Sequence, residues 1–342
     1  MRQWRLVLGM AISIAFVALL FWRVDLEAVL NAVRDAQLAW LLVASPLFAA
    51  SIWARAMRWR AIVRPVVPLS RGDAAALVVI GYAANNVLPA RTGEVVRAVL
   101  LQRRHGASAV AGLGTIVVER VFDGLVLALM LAGTLAVAGG SGVLRALAAV
   151  AGLGFVAIAL ILVLFALRPG LVRWALQSLL RLLPAALGER VRRLVERFLD
   201  GLALLRDARA PSTAIAFVAG ASLLGWILEA SAYWAIGQAF LLPLAPLLYL
   251  GVCGAANLAI AAPSTSGGIG PYEFFAREAV VLFGAAAAAG TAYALALHAF
   301  VLLPVTVAGV LLLWQRDLGL GTLTTSRIPA TAPDPTSKGA RT

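Results

Sequence analysis

Apolar runs near twenty residues long decide what this chain can fold into. They lie at 6–22, 38–53, 74–88, 107–138, 143–167, 214–240, 245–262 and 286–314. About 20 apolar residues in a helix cross the roughly 30 Å of bilayer hydrocarbon. Of the 342 residues, 62% are hydrophobic and only 13% are charged, and the mean hydropathy is +0.93. A soluble domain carries about 25% charged residues. A soluble enzyme, a disordered chain and a disulfide scaffold are therefore excluded. The lone cysteine, Cys253, leaves no partner for a disulfide within the chain. Two histidines, His105 and His298, exclude a His-rich metal cluster. No metal site and no cofactor are expected.

The net charge of +13 comes from arginines placed between the runs, with Lys338 the only lysine. That placement fits the cytoplasmic excess of basic residues in membrane proteins, and nucleic acid is not expected as a partner. Arg55, Arg58, Arg60, Arg64 and Arg71 follow the second run and read as a cytoplasmic cluster. Both termini are then expected in the cytoplasm. The third run is short, holds Asn85 and Asn86, and breaks at Pro89 before Arg91, Arg97, Arg103 and Arg104. A full crossing would strand those arginines outside, so a re-entrant hairpin is expected there. Its irregular backbone is tolerated where protein or water surrounds it. The seventh run breaks in the same way at Pro263, ahead of Gly267, Gly268 and Gly270 and a short helix with Glu273, Arg277 and Glu278.

The expected fold is an all-α polytopic membrane helical bundle of about six full spans plus two re-entrant or broken hairpins. Eight plain spans are the alternative. Residues 1–315 form the membrane domain and 316–342 a disordered tail rich in Thr, Pro, Ala and Ser. Within the former, 168–209 carry nine arginines and four acids, with Val191, Leu194, Val195, Phe198 and Leu202 at helical spacing. They read as cytoplasmic amphipathic helices near the headgroups. The two broken segments each run Pro, Gly four residues on, then an acid and an arginine: Pro89, Gly93, Glu94, Arg97 and Pro263, Gly267, Glu273, Arg277. Each half has the order span, span, hairpin, long span, and the second starts from the opposite face. Such a weak inverted repeat points to a central substrate site.

An Arg or Asp at the bilayer centre costs roughly 2.5–3.5 kcal/mol on insertion scales, so intramembrane charge marks function by default. The candidates are Asn86, Arg91, Glu94, Arg97, Glu119, Arg120, Asp123, Gly267, Gly268, Gly270 and Glu273. The plain reading makes the charges structural salt bridges, Arg120 with Asp123 and Glu94 with Arg97 at i,i+3 and Glu273 with Arg277 at i,i+4. The functional reading makes them the wall of a wet cavity. Arginine forks bind phosphate, and acids beside them hold a cationic or hydroxyl-rich portion. Asn85 and Asn86 are expected first to satisfy the broken backbone. His298 is expected to be a helix-packing residue, with a proton role secondary.

The blocks Asn86-x-x-Pro89-x-Arg91-x-Gly93-Glu94-x-x-Arg97, Glu119-Arg120-x-x-Asp123 and Pro263-x-x-x-Gly267-Gly268-x-Gly270-x-x-Glu273 appear in order. Together they resemble the transmembrane family of bacterial lysylphosphatidylglycerol synthases/flippases over about residues 1–315. The resemblance implies lipid translocation across the cytoplasmic membrane, with membrane lipids bearing an anionic or phosphate headgroup as partners. The lysyl-lipid members carry a large soluble aminoacyl-transferase domain after the membrane part. Only a short tail follows Arg316 here, so lipid lysinylation is not expected of this chain. The alternatives are a membrane transferase on a lipid-linked sugar, with Glu94 or Glu119 as base, and a scaffold that binds a pathway enzyme through 168–209.

Overall fold

The computed structural model describes residues 14–20, 25–88, 92–140, 142–168, 184–206, 212–260 and 266–315, with 170, 174 and 180 as isolated positions. Twelve helices are named here: α1 (Leu26–Arg34), α2 (Leu41–Val63), α3 (Arg71–Val87), α4 (Gly93–His105), α5 (Ala109–Ala138), α6 (Gly142–Leu167), α7 (Ala185–Gly201), α8 (Ala203–Arg206), α9 (Ser212–Ala239), α10 (Leu248–Ala259), α11 (Pro271–Leu282) and α12 (Ala287–Gln315). Short 3-10 turns cover Leu38–Trp40 and Ser266–Gly268. Residues 14–20 are also helical. No strand occurs among the described residues. Five helical stretches are long and apolar enough to cross a membrane: Leu38–Val63, Ala109–Ala138, Gly142–Leu167, Thr213–Ala239 and Ala287–Gln315. The chain is a polytopic helical bundle. The first apolar run is described only over 14–20, and the tail from 316 lies outside the described residues.

Local chemistry sets the helix ends. Ser70 Oγ accepts from the Asp73 N–H at 3.0 Å and starts α3. Gly106, at φ 70°, closes α4 in the left-handed region that glycine enters freely. Ser108 precedes α5 as its N-cap. These three caps gather at one end of the bundle. There Val63, Leu69, Ala74, Leu101 and Ala107 share one buried cluster, with Arg64, Arg71, Arg103 and Arg104 on the same segments. We call it the arginine end.

α3 and α4 form an antiparallel hairpin whose open side is at the arginine end. At 1.5 Å per residue they extend about 25 Å and about 20 Å, too short to cross 30 Å of hydrocarbon. Their approach is so close that a Cβ on Gly93 would sit 2.0 Å from the Gly81 carbonyl oxygen. α10 and α11 form the second hairpin, which enters from the opposite end. α10 runs antiparallel to α5, with Gly254 against Leu127 and Leu131 and Gly251 against Thr134. α11 runs antiparallel to α12, with Val280 and Val281 beside Gly290. The two tips meet in the middle of the bundle alongside α12. The turn Ser266–Gly268 packs on α3, and a Cβ on Gly267 would lie 2.8 Å from Leu302 and 3.8 Å from the Asn86 carbonyl oxygen. Asn86 Nδ2 donates to Thr306 Oγ1 of α12 at 2.9 Å. Two short hairpins from opposite ends match the inverted arrangement that the sequence suggests.

One boundary differs from expectation. The second apolar run reads as ending near Trp53, but α2 continues to Val63 and carries Arg55 and Arg58 into the bundle. Both are buried, Arg58 completely. They do not belong to the exposed basic cluster. Acids on α5 and α9 make this burial tolerable. α7 is amphipathic as expected, but it is pinned to the bundle. Leu199 and Leu202 pack with Ile62, Val118 and Val218. A Cβ on Gly201 would lie 2.3 Å from the Ala111 carbonyl oxygen of α5.

Candidate functional site

Arg58 organises a buried ion network between α2, α4, α5 and α9. Its guanidinium donates to Glu119 Oε1 at 2.9 Å, to Asp123 Oδ2 at 3.2 Å and to Ser222 Oγ at 3.1 Å. A second bond reaches Asp123 Oδ1. The other oxygen of Glu119 accepts from Arg97. Glu119 therefore bridges two guanidinium groups, and its side chain is 0% exposed. Two tryptophans seat the arginines. Arg97 lies over the Trp59 ring at 4.1 Å, and Arg55 over the Trp226 ring at 3.8 Å. Trp226 Nε1 in turn donates to Asp123 Oδ1 at 2.8 Å. Guanidinium faces on indole rings, with carboxylates on the edges, satisfy a desolvated arginine from both directions.

The network has one reachable edge. Arg120 is 36% exposed in its side chain and Glu94 25%, against 5% or less for Arg58, Arg97, Glu119 and Asp123. Arg120 stands 3.6 Å from Glu94 and 3.5 Å from Asp123, long distances for charge-assisted bonds. Glu94 Oε1 accepts from Asn85 Nδ2 at 3.1 Å, and Asn85 Oδ1 accepts from the Gly93 N–H at 2.7 Å. Asn85 thus satisfies the backbone at the start of α4, as expected, and holds Glu94 beside the hairpin tip. A cavity of about 650 Å³ opens elsewhere, at the arginine end, lined by Pro65, Val66, Ser108, Asp200 and Ala203. That cavity holds none of the network's charges.

A second cluster sits at the other hairpin. Arg55 pairs with Glu229, whose Oε1 accepts from the Tyr233 hydroxyl at 3.0 Å and from Asn257 Nδ2 at 3.3 Å. The Tyr233 hydroxyl meets that of Tyr272. The Tyr272 ring stacks on His298 with centroids 4.3 Å apart. His298 Nδ1 lies 2.7 Å from Glu273 Oε1, and its Nε2 lies 3.0 Å from the Gly267 carbonyl oxygen. Glu273 Oε2 accepts from the Gly270 N–H at 2.8 Å. Gly267, Gly268 and Gly270 have φ of 75°, 79° and 99°, so this tip requires a residue without a Cβ.

The residues expected from sequence divide between these two places. Glu94, Arg97, Glu119, Arg120 and Asp123 come together in the first. Gly267, Gly268, Gly270 and Glu273 form the second, and Asn86 lies where the tips meet. Arg91 lies outside the described residues. The pairings differ from the local ones that spacing suggests. Of those, Arg120 with Asp123 occurs. Arg97 instead pairs with Glu119, Glu94 with Arg120, Glu273 with His298, and Arg277 with Glu278. Arg55, Arg58, Trp226, Tyr233 and Asn257 were not anticipated. For Arg55 and Arg58 the signal lies on α2. Phe48, Ser51, Arg55, Arg58 and Ile62 recur at helical spacing, on a face whose other members are apolar or small. Among the described residues no group of three His, Cys, Asp or Glu side chains is placed to hold a metal ion.

The chain is 30% identical over 128 residues to glycosyltransferase AglD of Haloferax volcanii. The match covers 37% of this chain and 20% of that protein, so this chain spans about a fifth of its relative's length. No solved structure matches. The family described as Lysylphosphatidylglycerol synthase TM region matches residues 6–309, nearly all of the membrane part. A bundle of intramembrane ion pairs and two opposed hairpins, matched over that length, belongs to the lysylphosphatidylglycerol synthase transmembrane-region family.

Proposed function

We propose that this chain translocates a phosphate-bearing lipid headgroup across a bacterial cytoplasmic membrane, in the manner of a flippase. The observation that carries the reading is the partly exposed Arg120–Glu94 edge of an otherwise closed ion network, next to the meeting point of the two hairpin tips. Arg120 offers a planar donor fork to a phosphate, and Glu94 accepts from a cationic or hydroxyl-bearing portion. Arg58, Arg97, Glu119 and Asp123 hold that edge in place and do not touch the lipid. The lipid tails stay in the bilayer while the head passes the tips, which serve as gates toward opposite faces. The basic excess of the arginine end supports a cytoplasmic position for it.

Reconstitution into liposomes with labelled lipids tests this. Wild-type protein should move at least one phosphate-bearing lipid faster than protein-free vesicles. The Arg120→Ala/Glu94→Ala double variant should lose most of that movement. Equal rates for wild type and variant across phospholipids and a polyprenyl phosphate would overturn the reading.

A second reading rests on the name of the Haloferax relative: a membrane component of a lipid-linked sugar pathway, as transferase or accessory scaffold. Sugar transfer by the pure protein onto a lipid acceptor, in vesicles where no lipid moves, would favour it.

A further inference from the structure

The Glu273–His298 pair is built around a proton that the ion network does not need. The Gly267 carbonyl oxygen can only accept, so His298 Nε2, 3.0 Å away, carries a hydrogen. Nδ1 then faces Glu273 Oε1 at 2.7 Å. A nitrogen lone pair and a carboxylate oxygen do not approach to that distance unaided. A second hydrogen therefore lies between them, on one atom or the other. The remaining oxygen of Glu273 holds the Gly270 N–H. One side-chain pair thus pins both ends of the glycine tip, Gly267 and Gly270, and anchors it to α12 through His298.

We propose that this shared proton is the latch of the second hairpin. With the proton in place the tip is held on α12 against the first hairpin. When the proton leaves to water, the imidazole lone pair faces a carboxylate buried at 8% side-chain exposure, and the tip is released. Among the described residues the surroundings supply no replacement charge. Arg55 is already committed to Glu229 on α9. Tyr233 of α9, Tyr272 of α11, Tyr293 of α12 and Tyr82 of α3 are neutral phenols, and Cys253 of α10 is a buried thiol. Arg277 of α11 pairs with Glu278. Glu27 and Arg34 of α1, the other element packed on α12, are exposed. Through this latch the opening of one gate, and with it lipid passage, is coupled to the proton. The coupling rests on the lipid-transport reading, whereas the latch does not.

The test uses the full chain in lipid nanodiscs with Cys253→Ser and spin labels on Ile269→Cys and Val87→Cys. These positions lie on the two tips and are 47% and 59% exposed. Pulsed EPR distances are recorded from pH 5.5 to 9. One short distance is expected at low pH. A longer one should grow by up to about tenfold in relative population per pH unit, the limit for one released proton. Glu273→Gln keeps both bonds to a neutral imidazole through its amide, so the short distance should persist at the alkaline end of the range, where the wild type opens. His298→Phe keeps the stack on Tyr272 but removes both bonds, so the long distance should dominate throughout. A wild-type distribution unchanged across the range overturns the latch. So does either variant tracking the wild-type response. Lipid movement in vesicles of the same lipid, across the same range, separates the two ideas. Switching distances without lipid movement overturn the coupling and the transport reading. Lipid movement at every pH with fixed distances overturns the latch alone.

Discussion

Two sets of Arg–carboxylate pairs in this molecule have the same chemistry and opposite surroundings. Arg58 with Glu119 and Asp123 lies between four helices, at side-chain exposures of 0%, 0% and 5%. Arg192 with Glu189 lies on the outer face of α7, at 47% and 43%. At both places a guanidinium reaches a carboxylate at 2.9 Å. The difference is what replaces a lost partner. On α7 water does so, and the pair contributes little. In the bundle nothing does, and a single truncation leaves charges buried without a counter-ion. A short distance between opposite charges thus says little about an ion pair until its solvent is known.

The comparison predicts its largest effect at Arg58. Arg58→Ala leaves two carboxylates without their shared donor and should destabilise the protein by about 3–5 kcal/mol. Thermal unfolding of the purified protein in detergent would read this as a large fall in Tm or a loss of folded yield. Arg58→Lys should not restore it, because an ammonium cannot span Glu119, Asp123 and Ser222 in one plane. A next, smaller effect is expected at Gly93, where backbone contact replaces charge. Gly93→Ala places a methyl group against the Gly81 carbonyl and should cost about 1–3 kcal/mol by forcing α3 and α4 apart. If Gly93→Ala were neutral in the same assay, the hairpin would not be packed as described.

The same contrast explains what was legible in the sequence. Apolar runs and breaks at Pro89 and Pro263 reveal the helices and both hairpins, because crossing hydrocarbon imposes length and apolarity directly. Intramembrane charge marks Glu94, Arg97, Glu119, Arg120, Asp123 and Glu273 for the same reason. Partners were not legible, since they are set by which helices touch. Arg97 lies three residues from Glu94 in sequence but meets Glu119 across a helix interface. On paper Arg55 and Arg58 differ from the neighbouring Arg60 and Arg64 in sharing a helical face with Phe48, Ser51 and Ile62, a pattern that names no partner. Only packing against α5 and α9 separates a buried arginine from a headgroup anchor. His298 reads as an isolated polar residue because its partners, Glu273 and Gly267, are 25 and 31 positions away.

Between the two extremes stands Arg120, half in and half out of the network. Its exposure predicts a separation of function from stability. If the edge opens to a hydrated path, as the transport reading requires, Arg120→Ala should change stability by under about 1 kcal/mol. Lipid movement should nevertheless fall by about tenfold or more, the equivalent of losing a charge-assisted bond of about 1.5–3 kcal/mol to phosphate. Parallel unfolding and transport measurements on one preparation would check this. A loss of stability as large as that of Arg58→Ala would move Arg120 into the closed network and remove it as a ligand for the lipid.

The smallest effect belongs to α7. Arg192→Ala should leave Tm at neutral pH unchanged within error, while Arg58→Ala lowers it steeply. The sign of any residual contribution is fixed by Glu189. Its hydrogen bonds to Arg192 hold the carboxyl below the usual carboxylate range. A carboxylate of this kind stabilises the fold above its unfolded pKa. The contribution disappears as pH falls through the lowered folded value. Wild type and Glu189→Gln should therefore differ slightly at pH 7 and converge in acid, and raising salt at pH 7 should erase the same difference. A gap that widened in acid, or survived high salt, would mean that α7 is shielded from water in the membrane-bound protein. Its pairs would then belong with the buried set.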